Sequence, residues 1–472
     1  MAQPVKLQQK TNPAAQAAFR KAVALFEAGK IAESVAEYKE ALRHDGAYAS
    51  AWINLGTSLR KLGHFEASAA CSLRALALSP QNPSYLTNLG NCLVDLDRLN
   101  EALAAHAEAV RLRPDDFLAR RNYSIALREA GRFEEALMFF QALGKEKPED
   151  VSLKWEEALT YLQLGRYQEG WKAFEIRWQL PNMQERRSKT ASRWRGEDVS
   201  GKTLLIYEEQ GFGDSILCSR YIPLIQKRGG NVIVECKPAL HRLFSAVPGV
   251  TRLAEPGQIM TGFDYHIPMM SLPGIFGTDL STVPPPATLY TAPAPPPEVA
   301  RLLALGKNRF KVGIVWSGSV TFANNRKRAV SAERFLPLAE IPGIQLYSLQ
   351  KGPREKDLDA SGAGALIPEL GPHLNDFSET AAVLKELDLV IMTDSSVAHL
   401  AGSLDVPVWN LLSYRPYWLY LSERQDRPWY SSMRLFRQPV PGDWDSVFKK
   451  VGEELKKRVA AQENCEPLQK RA

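Results

Sequence analysis

A spacing of 34 residues recurs through the first third of this 472-residue chain. Gly29, Gly63, Gly131 and Gly165 mark it, and Asp97 stands at the one position where a glycine is missing. Three further sets of residues keep the same step: Leu25, Leu59, Leu93, Leu127 and Tyr161; Ile31, Phe65, Leu99, Phe133 and Tyr167; and the small residues Ser34, Ser68, Ala102, Ala136 and Gly170. Such a period restricts the region to stacked copies of one unit, because each copy can bury its apolar face only against its neighbours.

The repeated unit has the features of a helix pair. A 34-residue period with a glycine near its middle, a small residue and a closing proline (Pro80, Pro114 and Pro148) is the tetratricopeptide pattern. Glycine permits the turn between the helices, and proline ends the second helix. We therefore predict an α-solenoid of about five repeats over residues 14–185. Its groove would bind a peptide or protein; alternatively, the repeats only stabilise the neighbouring domain or join two copies into an oligomer.

Composition and charge limit which ligands the chain can bind and in which cellular compartment it is expected. A net charge of +6 is too small for a chain of this length to indicate nucleic acid. The five cysteines are scattered and form no C-x-x-C pair, so neither a disulfide framework nor a metal site is predicted. No apolar run has the length of a membrane span, and residues 1–16 lack the apolar core of a signal peptide. We expect a cytoplasmic protein without an integral membrane segment.

Beyond about residue 195, short apolar runs alternate with helical patterns, which predicts α/β structure. The runs at 202–210, 231–236, 250–253 and 263–269 predict one domain over 195–290. A proline-rich linker is predicted at 283–305, followed by a second domain over 306–462 with strands near 310–319, 344–352 and 387–392. Two such domains are expected to face each other across a cleft, with ligands at the carboxyl ends of the strands.

The segment GFGDSI at 211–216 follows the first predicted strand of this region. Gly211 and Gly213 allow a tight turn and a close approach by a ligand, but Ile216 stands where a dinucleotide fingerprint needs a third glycine. Asp214 then lies at or near a helix N-terminus facing the cleft. It could act as a base, or it could merely cap the helix, which would keep its pKa low. The residues alone favour capping.

The segment TDSSVAHLAG at 393–402 joins a predicted strand to a helix. Asp394, Ser395 and Ser396 stand at the helix start, where unpaired backbone N–H groups and the helix dipole favour an anion. His399 shares a helix face with Ser395. The segment could bind a diphosphate, with His399 or a nearby cation supplying charge-assisted hydrogen bonds. Equally, it could hold a capping serine above a packed histidine.

Basic residues follow two other strands of the second domain. Arg326 and Arg328 lie in NNRKR at 324–328, and Lys351 lies in LQKG at 349–352. Charged loops of this kind are usually just solvated. The carboxyl ends of parallel strands share one sheet edge, however, so these residues should meet Asp394 there. The convergence of three loops favours a phosphate pocket.

Residues 202–450 resemble the heptosyltransferase-like family, glycosyltransferase family nine, in the version that is fused to tetratricopeptide repeats. The segments EEQGFGDSILCSRYIPLI, GIVWSGS…NNRKRAV and DLVIMTDSSVAHLAGSLDVPVW carry the resemblance. It implies two Rossmann-like domains of the GT-B type, inversion at the sugar, and no required metal or cofactor. It also implies that Asp214 is the general base. The donor, a nucleotide-diphosphate sugar, would then be bound by the following residues: Ser317, Arg326, Arg328, Lys351, Asp394, Ser395, Ser396 and His399.

The chain departs from the family where the sugar is bound. Heptosyltransferases usually show Asp-Thr-Gly and a Met-His pair in this region, whereas this chain has Asp-Ser-Ser and Ala398-His399. With the repeats, this favours a protein acceptor, such as flagellin or another surface protein, over lipopolysaccharide. The alternative is a repeat-based adaptor whose transferase domain is degenerate and does not catalyse.

Overall fold

A computed structural model describes residues 12–181, 183, 191–258, 260–322, 325–422 and 428–469. The chain divides into two compact units, Met1–Thr160 and Tyr161–Ala472. The division falls inside the ninth helix, whereas the sequence places the end of the repeat domain at residue 185. The domain ends at 185, 195, 290, 306 and 462 therefore stay predictions.

The first unit is built of successive helices, as the repeat predicts. Their bounds are α1 Pro13–Glu27, α2 Ile31–His44, α3 Ala49–Lys61, α4 Phe65–Leu78, α5 Pro83–Asp95, α6 Leu99–Leu112, α7 Phe117–Glu129, α8 Phe133–Glu146 and α9 Val151–Gln163. The turn residues Gly29, Gly63, Asp97 and Gly131 have positive φ angles of 77°, 83°, 57° and 80°. Glycine and, at greater cost, aspartate adopt this conformation, which explains why these positions recur. The predicted α-solenoid is confirmed.

The recurring small residues lie where helices approach each other most closely. Ser34 Oγ is 3.0 Å from Ser58 Oγ, and Ser68 Oγ donates a hydrogen bond of 2.6 Å to the carbonyl oxygen of Gly56. A Cβ on Gly56 would stand only 3.1 Å from the Ser68 carbonyl oxygen. Larger residues at these positions would separate the helices, so the small residues determine the packing distance.

The second unit begins with the rest of α9 and with α10 at Tyr167–Phe174, followed by a 3-10 turn at Glu175–Gln179. Gly165 precedes α10 with a φ of 74°, like its counterparts in the first unit. Tyr167 packs against Trp418 and Trp429, with ring centroids 6.1 and 6.0 Å apart. The last helix with the repeat pattern is thus part of the core of the second unit.

A parallel sheet follows, with the strands β1 Ser192–Arg193, β2 Thr203–Tyr207, β3 Asn231–Glu235, β4 Val250–Ala254 and β5 Tyr265–Pro268. Among the described residues its order is β1-β5-β2-β3-β4. The helices between them are α11 Phe212–Cys218, α12 Ile222–Lys227, α13 His241–Phe244 and α14 Leu272–Ile275. The order reverses between β2 and β5, where crossovers leave in opposite directions and open a crevice at the carboxyl edge.

A second parallel sheet contains β6 Phe310–Val315, β7 Ile344–Ser348, β8 Leu389–Thr393, β9 Val408–Leu412 and β10 Met433–Arg437. Its order over the described residues is β10-β9-β8-β6-β7, which reverses between β6 and β8. Its helices are α15 Pro297–Leu303, α16 Asn325–Arg328, α17 Leu336–Ala339, α18 Asp357–Ala360, α19 Phe377–Lys385, α20 Ser396–Ser403 and α21 Trp444–Gln469. The strands β8 and β9 are buried at every position, as expected of parallel strands covered on both faces. The predicted α/β class is confirmed.

The proline-rich stretch is extended but not free. The backbone N–H of Tyr290 donates to the carbonyl of Leu243, and that of Ala292 donates to the carbonyl of Ser378. These bonds connect the segment first to α13 and then to α19. The stretch therefore packs along both parts of the second unit. Within the part of the chain that the structure describes, no helix has both the length and the apolar character needed to cross a membrane.

Candidate functional site

The reversal point of the second sheet brings together residues that follow β6 and β8. Arg328, in α16 after β6, places its Nη1 atom 3.3 Å from Oδ2 of Asp394, which follows β8 directly. The hydroxyl of Tyr420 donates a 2.7 Å hydrogen bond to the other carboxylate oxygen of Asp394. Asp394 is almost fully buried, and these two partners offset its charge. The crevice expected at this reversal is therefore lined by an oriented carboxylate and a guanidinium.

The helix α20 begins directly after Asp394. Ser395 has the extended backbone of an N-cap residue, yet its side chain makes no capping hydrogen bond. The hydroxyls of Ser395 and Ser396 are half-buried, and neither has a hydrogen-bond partner among the residues that the structure covers. The capping interpretation is therefore not what the geometry shows. Two hydroxyls and the first backbone N–H groups of α20 remain available to an anion.

His399 lies one turn further along α20 and is 5 % exposed. Its Nδ1 atom is 3.1 Å from the hydroxyl of Tyr430. Burial lowers the pKa of His399 to about 4, so its imidazole is neutral at pH 7. A charge-assisted hydrogen bond from His399 is therefore not expected at pH 7, and a nearby lysine or arginine would have to supply it.

The glycine turn of the first sheet gives Asp214 two hydrogen bonds. The backbone N–H of Gly211 donates to Oδ2 at 3.0 Å, and the hydroxyl of Tyr417 donates to Oδ1 at 3.1 Å. The first of these bonds is the predicted cap. The low pKa expected from capping is wrong, however, because burial outweighs both hydrogen bonds and raises the pKa of Asp214 to about 6.

Gly213 brings the two sheets' candidate residues together. A Cβ atom at Gly213 would stand 2.6 Å from Cδ2 of His399 and 3.4 Å from Cα of Ser396. The first turn of α11 therefore packs directly against the first turn of α20. Asp214, Ser396 and His399, which the sequence places almost two hundred residues apart, meet at this contact.

Two of the predicted donor-binding side chains are already engaged. The hydroxyl of Ser317 donates to the carbonyl of Gly318 at 3.1 Å and accepts from Nδ2 of Asn325 at 3.0 Å. The ammonium of Lys351 donates to the carbonyl of Leu374. Ser317 and Lys351 do lie beyond the carboxyl ends of β6 and β7, as predicted. Arg326 lies on the same edge and is exposed.

Sequence reasoning missed the aromatic groups that enclose the site. Tyr417 and Tyr420 bind the two carboxylates, and Tyr430 binds His399. Arg220 lies beneath them, buried, and donates to the carbonyls of Trp429 and Pro284 at 3.1 and 3.0 Å. The density of aromatic residues in SYRPYWLY and PWYSS was the available signal, although aromatic runs more often indicate ordinary core.

A buried ion pair anchors the loop before the glycine turn. Arg177, fully buried, donates to both carboxylate oxygens of Glu209 at 2.6 and 2.9 Å. It also donates to Ser271 Oγ at 2.8 Å, and Glu209 accepts from the N–H of Met270 at 2.9 Å. The network joins the end of α10 to the reversal point of the first sheet. Among the described residues, no group of three or more His, Cys, Asp or Glu side chains is arranged to hold a metal ion.

Comparison with known proteins identifies the repeats. A family model described as tetratricopeptide repeat matches residues 53–117 and 89–150. Protein FlbA of Caulobacter vibrioides (strain ATCC 19089 / CIP 103742 / CB 15) is 27 % identical over 319 residues, which are 62 % of this chain and 53 % of that protein. The chain thus spans about half the length of this relative.

Solved structures are also similar to about a third of the chain. YrrB, a TPR protein with an unusual peptide-binding site, is 25 % identical, covers 36 % of this chain and 84 % of its own, and has a TM-score of 0.29. A tetratricopeptide repeat protein from Parabacteroides merdae ATCC 43184 is 20 % identical, with 36 % and 66 % covered and a TM-score of 0.33. PilF of Pseudomonas aeruginosa is 19 % identical, with 34 % and 74 % covered and a TM-score of 0.31. The N-terminal part of the chain, with its 34-residue period and its family match, is a region of tetratricopeptide repeats.

Proposed function

We propose that this chain is an inverting, metal-independent glycosyltransferase of the GT-B type that moves a sugar from a nucleotide-diphosphate sugar to a hydroxyl of a protein. One observation carries the proposal: the turn that holds Asp214 packs against the helix start that holds Ser395 and Ser396, through Gly213. A carboxylate suited to be a base and a site suited to an anionic leaving group therefore share one interface. Both also stand at the carboxyl edges of parallel sheets, where α/β proteins bind ligands.

Asp214 has the properties that the chemistry asks of a base. Burial raises its pKa to about 6, so the carboxylate is charged at pH 7 but more basic than an ordinary aspartate. It would accept the proton of the acceptor hydroxyl while that oxygen forms a bond to the anomeric carbon. The bond from the anomeric carbon to the diphosphate breaks as the new bond forms, and attack from the opposite face inverts the configuration.

The leaving diphosphate would be held at the start of α20. Ser395 and Ser396 offer hydroxyl donors that have no partner among the described residues, and the helix N-terminus adds backbone N–H groups. Arg328 forms an ion pair with Asp394, directly before this helix start. Together with the exposed Arg326, it would offset the negative charge of the diphosphate. His399 is neutral and could donate one ordinary hydrogen bond. The catalytic contribution of these groups is to stabilise charge that develops on the leaving group.

The repeats support a protein as the acceptor, since stacked helical repeats form extended binding surfaces. A surface protein such as flagellin is the acceptor class that we propose. The competing function is an adaptor whose α/β part transfers nothing and binds a nucleotide or no ligand at all. Failure of the second unit to bind any nucleotide sugar would count against the transferase, and this can be measured without knowing the acceptor.

The first experiment is a thermal-shift screen of the full chain against nucleotide sugars and free nucleoside diphosphates. A ligand at 100 times its dissociation constant adds about 2.7 kcal/mol of stability. We expect one nucleotide family to raise the melting temperature, and we expect Ser395→Ala/Ser396→Ala to reduce that shift. If no nucleotide raises the melting temperature of the folded protein, the adaptor is the better description.

The second experiment uses the donor found in this way and follows transfer to candidate acceptor proteins. Asp214→Asn should bind the donor normally and lose about 10²–10⁴-fold in turnover. The matched control is Asp264→Asn, an exposed carboxylate before β5 at the opposite edge of the first sheet, which should retain activity. Activity in the presence of EDTA checks the metal independence. Full activity of Asp214→Asn would refute the assignment of the base.

A further inference from the structure

A cavity of about 590 Å³ opens at the carboxyl edge of the first sheet, away from Asp214. Its walls come from α10, from the end of β1 and the residues after it, and from α14. They include two indoles and four charged side chains: Trp171, Trp194, Lys172, Glu175, Arg193 and Arg195. A volume of this size is in the range of sites that hold small molecules or a few residues of a peptide.

The charge of the cavity is positive. The negative charge of Glu175 is balanced within the wall, because Arg177 and Arg193 both form ion pairs with it. Ser271 Oγ also donates a hydrogen bond of 2.6 Å to this carboxylate. These charge partners lower the pKa of Glu175 against the opposing effect of burial, so it stays ionised. Lys172 and Arg195 are exposed, and their charged groups have no partner among the described residues. Two cations are therefore free to meet negative groups on a ligand.

One wall also carries a buried donor without an acceptor. The Nε1 atom of Trp171 is buried and has no hydrogen-bond partner within the described chain, whereas Nε1 of Trp194 donates to the carbonyl of Glu197 at 2.9 Å. The ring of Trp171 is fixed by edge-to-face contact with Trp418, with centroids 5.1 Å apart. This N–H is closed off from solvent, and Trp171 and Trp194 are only 4 % and 0 % exposed, so the two indoles support the cavity wall from behind and do not offer a donor to a ligand.

The cavity wall is connected to the glycine turn. Ser271 and Glu175 line the cavity, Arg177 binds both, and the same guanidinium holds Glu209 just before Gly211. The cavity and the turn thus lie beyond the carboxyl ends of neighbouring strands of one sheet and are joined by one buried network. A chain segment bound in the cavity would lie on the same sheet edge as Asp214.

We propose that this cavity binds an acidic peptide segment, with carboxylates on Lys172 and Arg195. Peptide is favoured over a single small anion because the two free cations stand on different elements and the cavity, at about 590 Å³, is far larger than one small anion needs. On the basis of the proposed function, a segment that belongs to the acceptor would make the cavity select proteins with acidic residues near the modified hydroxyl.

The test measures peptide binding directly, without donor or transfer. Fluorescein-labelled decapeptides of alternating Glu and Ala, Gln and Ala, and Lys and Ala are titrated with the full chain at 50 mM salt, and fluorescence anisotropy is followed. The Glu peptide should bind at least about tenfold more tightly than the Gln peptide, since it alone can form charge-assisted hydrogen bonds. Equal affinity for the Glu and Gln peptides would overturn the proposal.

Matched variants separate the cavity from general charge. Lys172→Glu/Arg195→Glu should weaken binding of the Glu peptide about tenfold or more. Lys307→Glu/Lys449→Glu should not weaken it, although this control changes the net charge by the same amount at exposed cations beside the second sheet. Equal weakening by both charge reversals would overturn the proposal.

Two further outcomes are informative. Displacement of the Glu peptide by low millimolar inorganic phosphate, but not by acetate, would assign the cavity to phosphate and refute the peptide. If the chain binds the Glu peptide tightly but transfers no sugar from any donor, the peptide-binding proposal is supported and the proposed glycosyltransferase activity is refuted. The failure of one proposal can therefore be distinguished from the failure of the other.

Discussion

Gly213→Ala tests how closely the two sheets' helices approach at the candidate site. The added Cβ would stand 2.6 Å from Cδ2 and 3.2 Å from Nε2 of His399, and 3.4 Å from Cα of Ser396. The imidazole cannot move away freely, because Tyr430 holds its other nitrogen and the side chain is buried. The backbone of α20 cannot yield without moving the donor site as well.

The magnitude follows from these distances. Overpacking a tight contact costs roughly 1–3 kcal/mol. Alanine in place of glycine would otherwise favour a helix by about 1 kcal/mol. Gly452→Ala is the matched control, because Gly452 lies within α21 and its added Cβ would meet only Leu338, at an ordinary 3.7 Å. We expect Gly213→Ala to lower the free energy of unfolding and Gly452→Ala to raise it.

Urea unfolding, followed by the fluorescence of the tryptophans, measures both changes. The two variants should differ by roughly 1–3 kcal/mol, because the helix gain is common to both, and this moves the urea midpoint by about 0.3–1 M. If Gly213→Ala is as stable as Gly452→Ala, the first turns of α11 and α20 are not in contact in solution. The proposed site would then lose the observation that carries it.

Three further changes test other parts of the molecule. The folded pKa of Asp214, about 6, lies above its ordinary value of 3.8, so stability should fall by ~3 kcal/mol as pH rises from about 3 to 7, and Asp214→Asn should remove this slope in urea titrations at each pH. Arg177→Met leaves Glu209 buried and unpaired, which should cost ~3–5 kcal/mol in unfolding free energy, whereas Arg301→Met in an exposed pair should change nothing measurable. His106 is buried without a partner for either ring nitrogen among the described residues, and burial lowers its pKa to about 4. The buried neutral imidazole is present above pH 6.5, and the free energy of unfolding falls as pH drops toward 4, because the unfolded chain binds a proton that the folded chain does not. His106→Leu should therefore be more stable than the parent chain at pH 5. An unchanged loss of stability at acid pH in this variant would contradict the prediction.

The repeat region was predictable because each of its signals is local. The turn glycines, the small residues and the closing prolines act within one helix pair, and the next pair repeats them. Even Asp97, which breaks the glycine series, takes the same positive φ as the glycines it replaces. The strands of both sheets were predictable for a similar reason, since a short apolar run bounded by turn residues is a local pattern.

The candidate site was predictable only in part, because its geometry depends on contacts between distant segments. The sequence placed Asp394, Ser395 and Ser396 at a strand-to-helix turn, and the structure has them there. It could not show that the Lys351 ammonium turns to the carbonyl of Leu374. Nor could it show that burial would leave His399 uncharged, since burial is a property of the assembled fold.

Tyr417 is where this long-range dependence can be tested on the reacting group itself. Its hydroxyl donates to Oδ1 of Asp214, and this hydrogen bond lowers the pKa of the carboxyl against the larger effect of burial. Tyr417→Phe keeps the ring and removes the donor, so the pKa of Asp214 should rise above its present value of about 6. The pH window in which stability falls should move upward, and so should the acidic limb of the kcat/KM profile of the proposed transfer. Asp214→Asn/Tyr417→Phe is the control, since without the carboxylate the second substitution should shift neither window. If the acidic limb of the kcat/KM profile stays in place or moves to lower pH, Tyr417 does not stabilise the ionised carboxylate of Asp214. The assignment of Asp214 as a buried base held by Tyr417 would then be refuted.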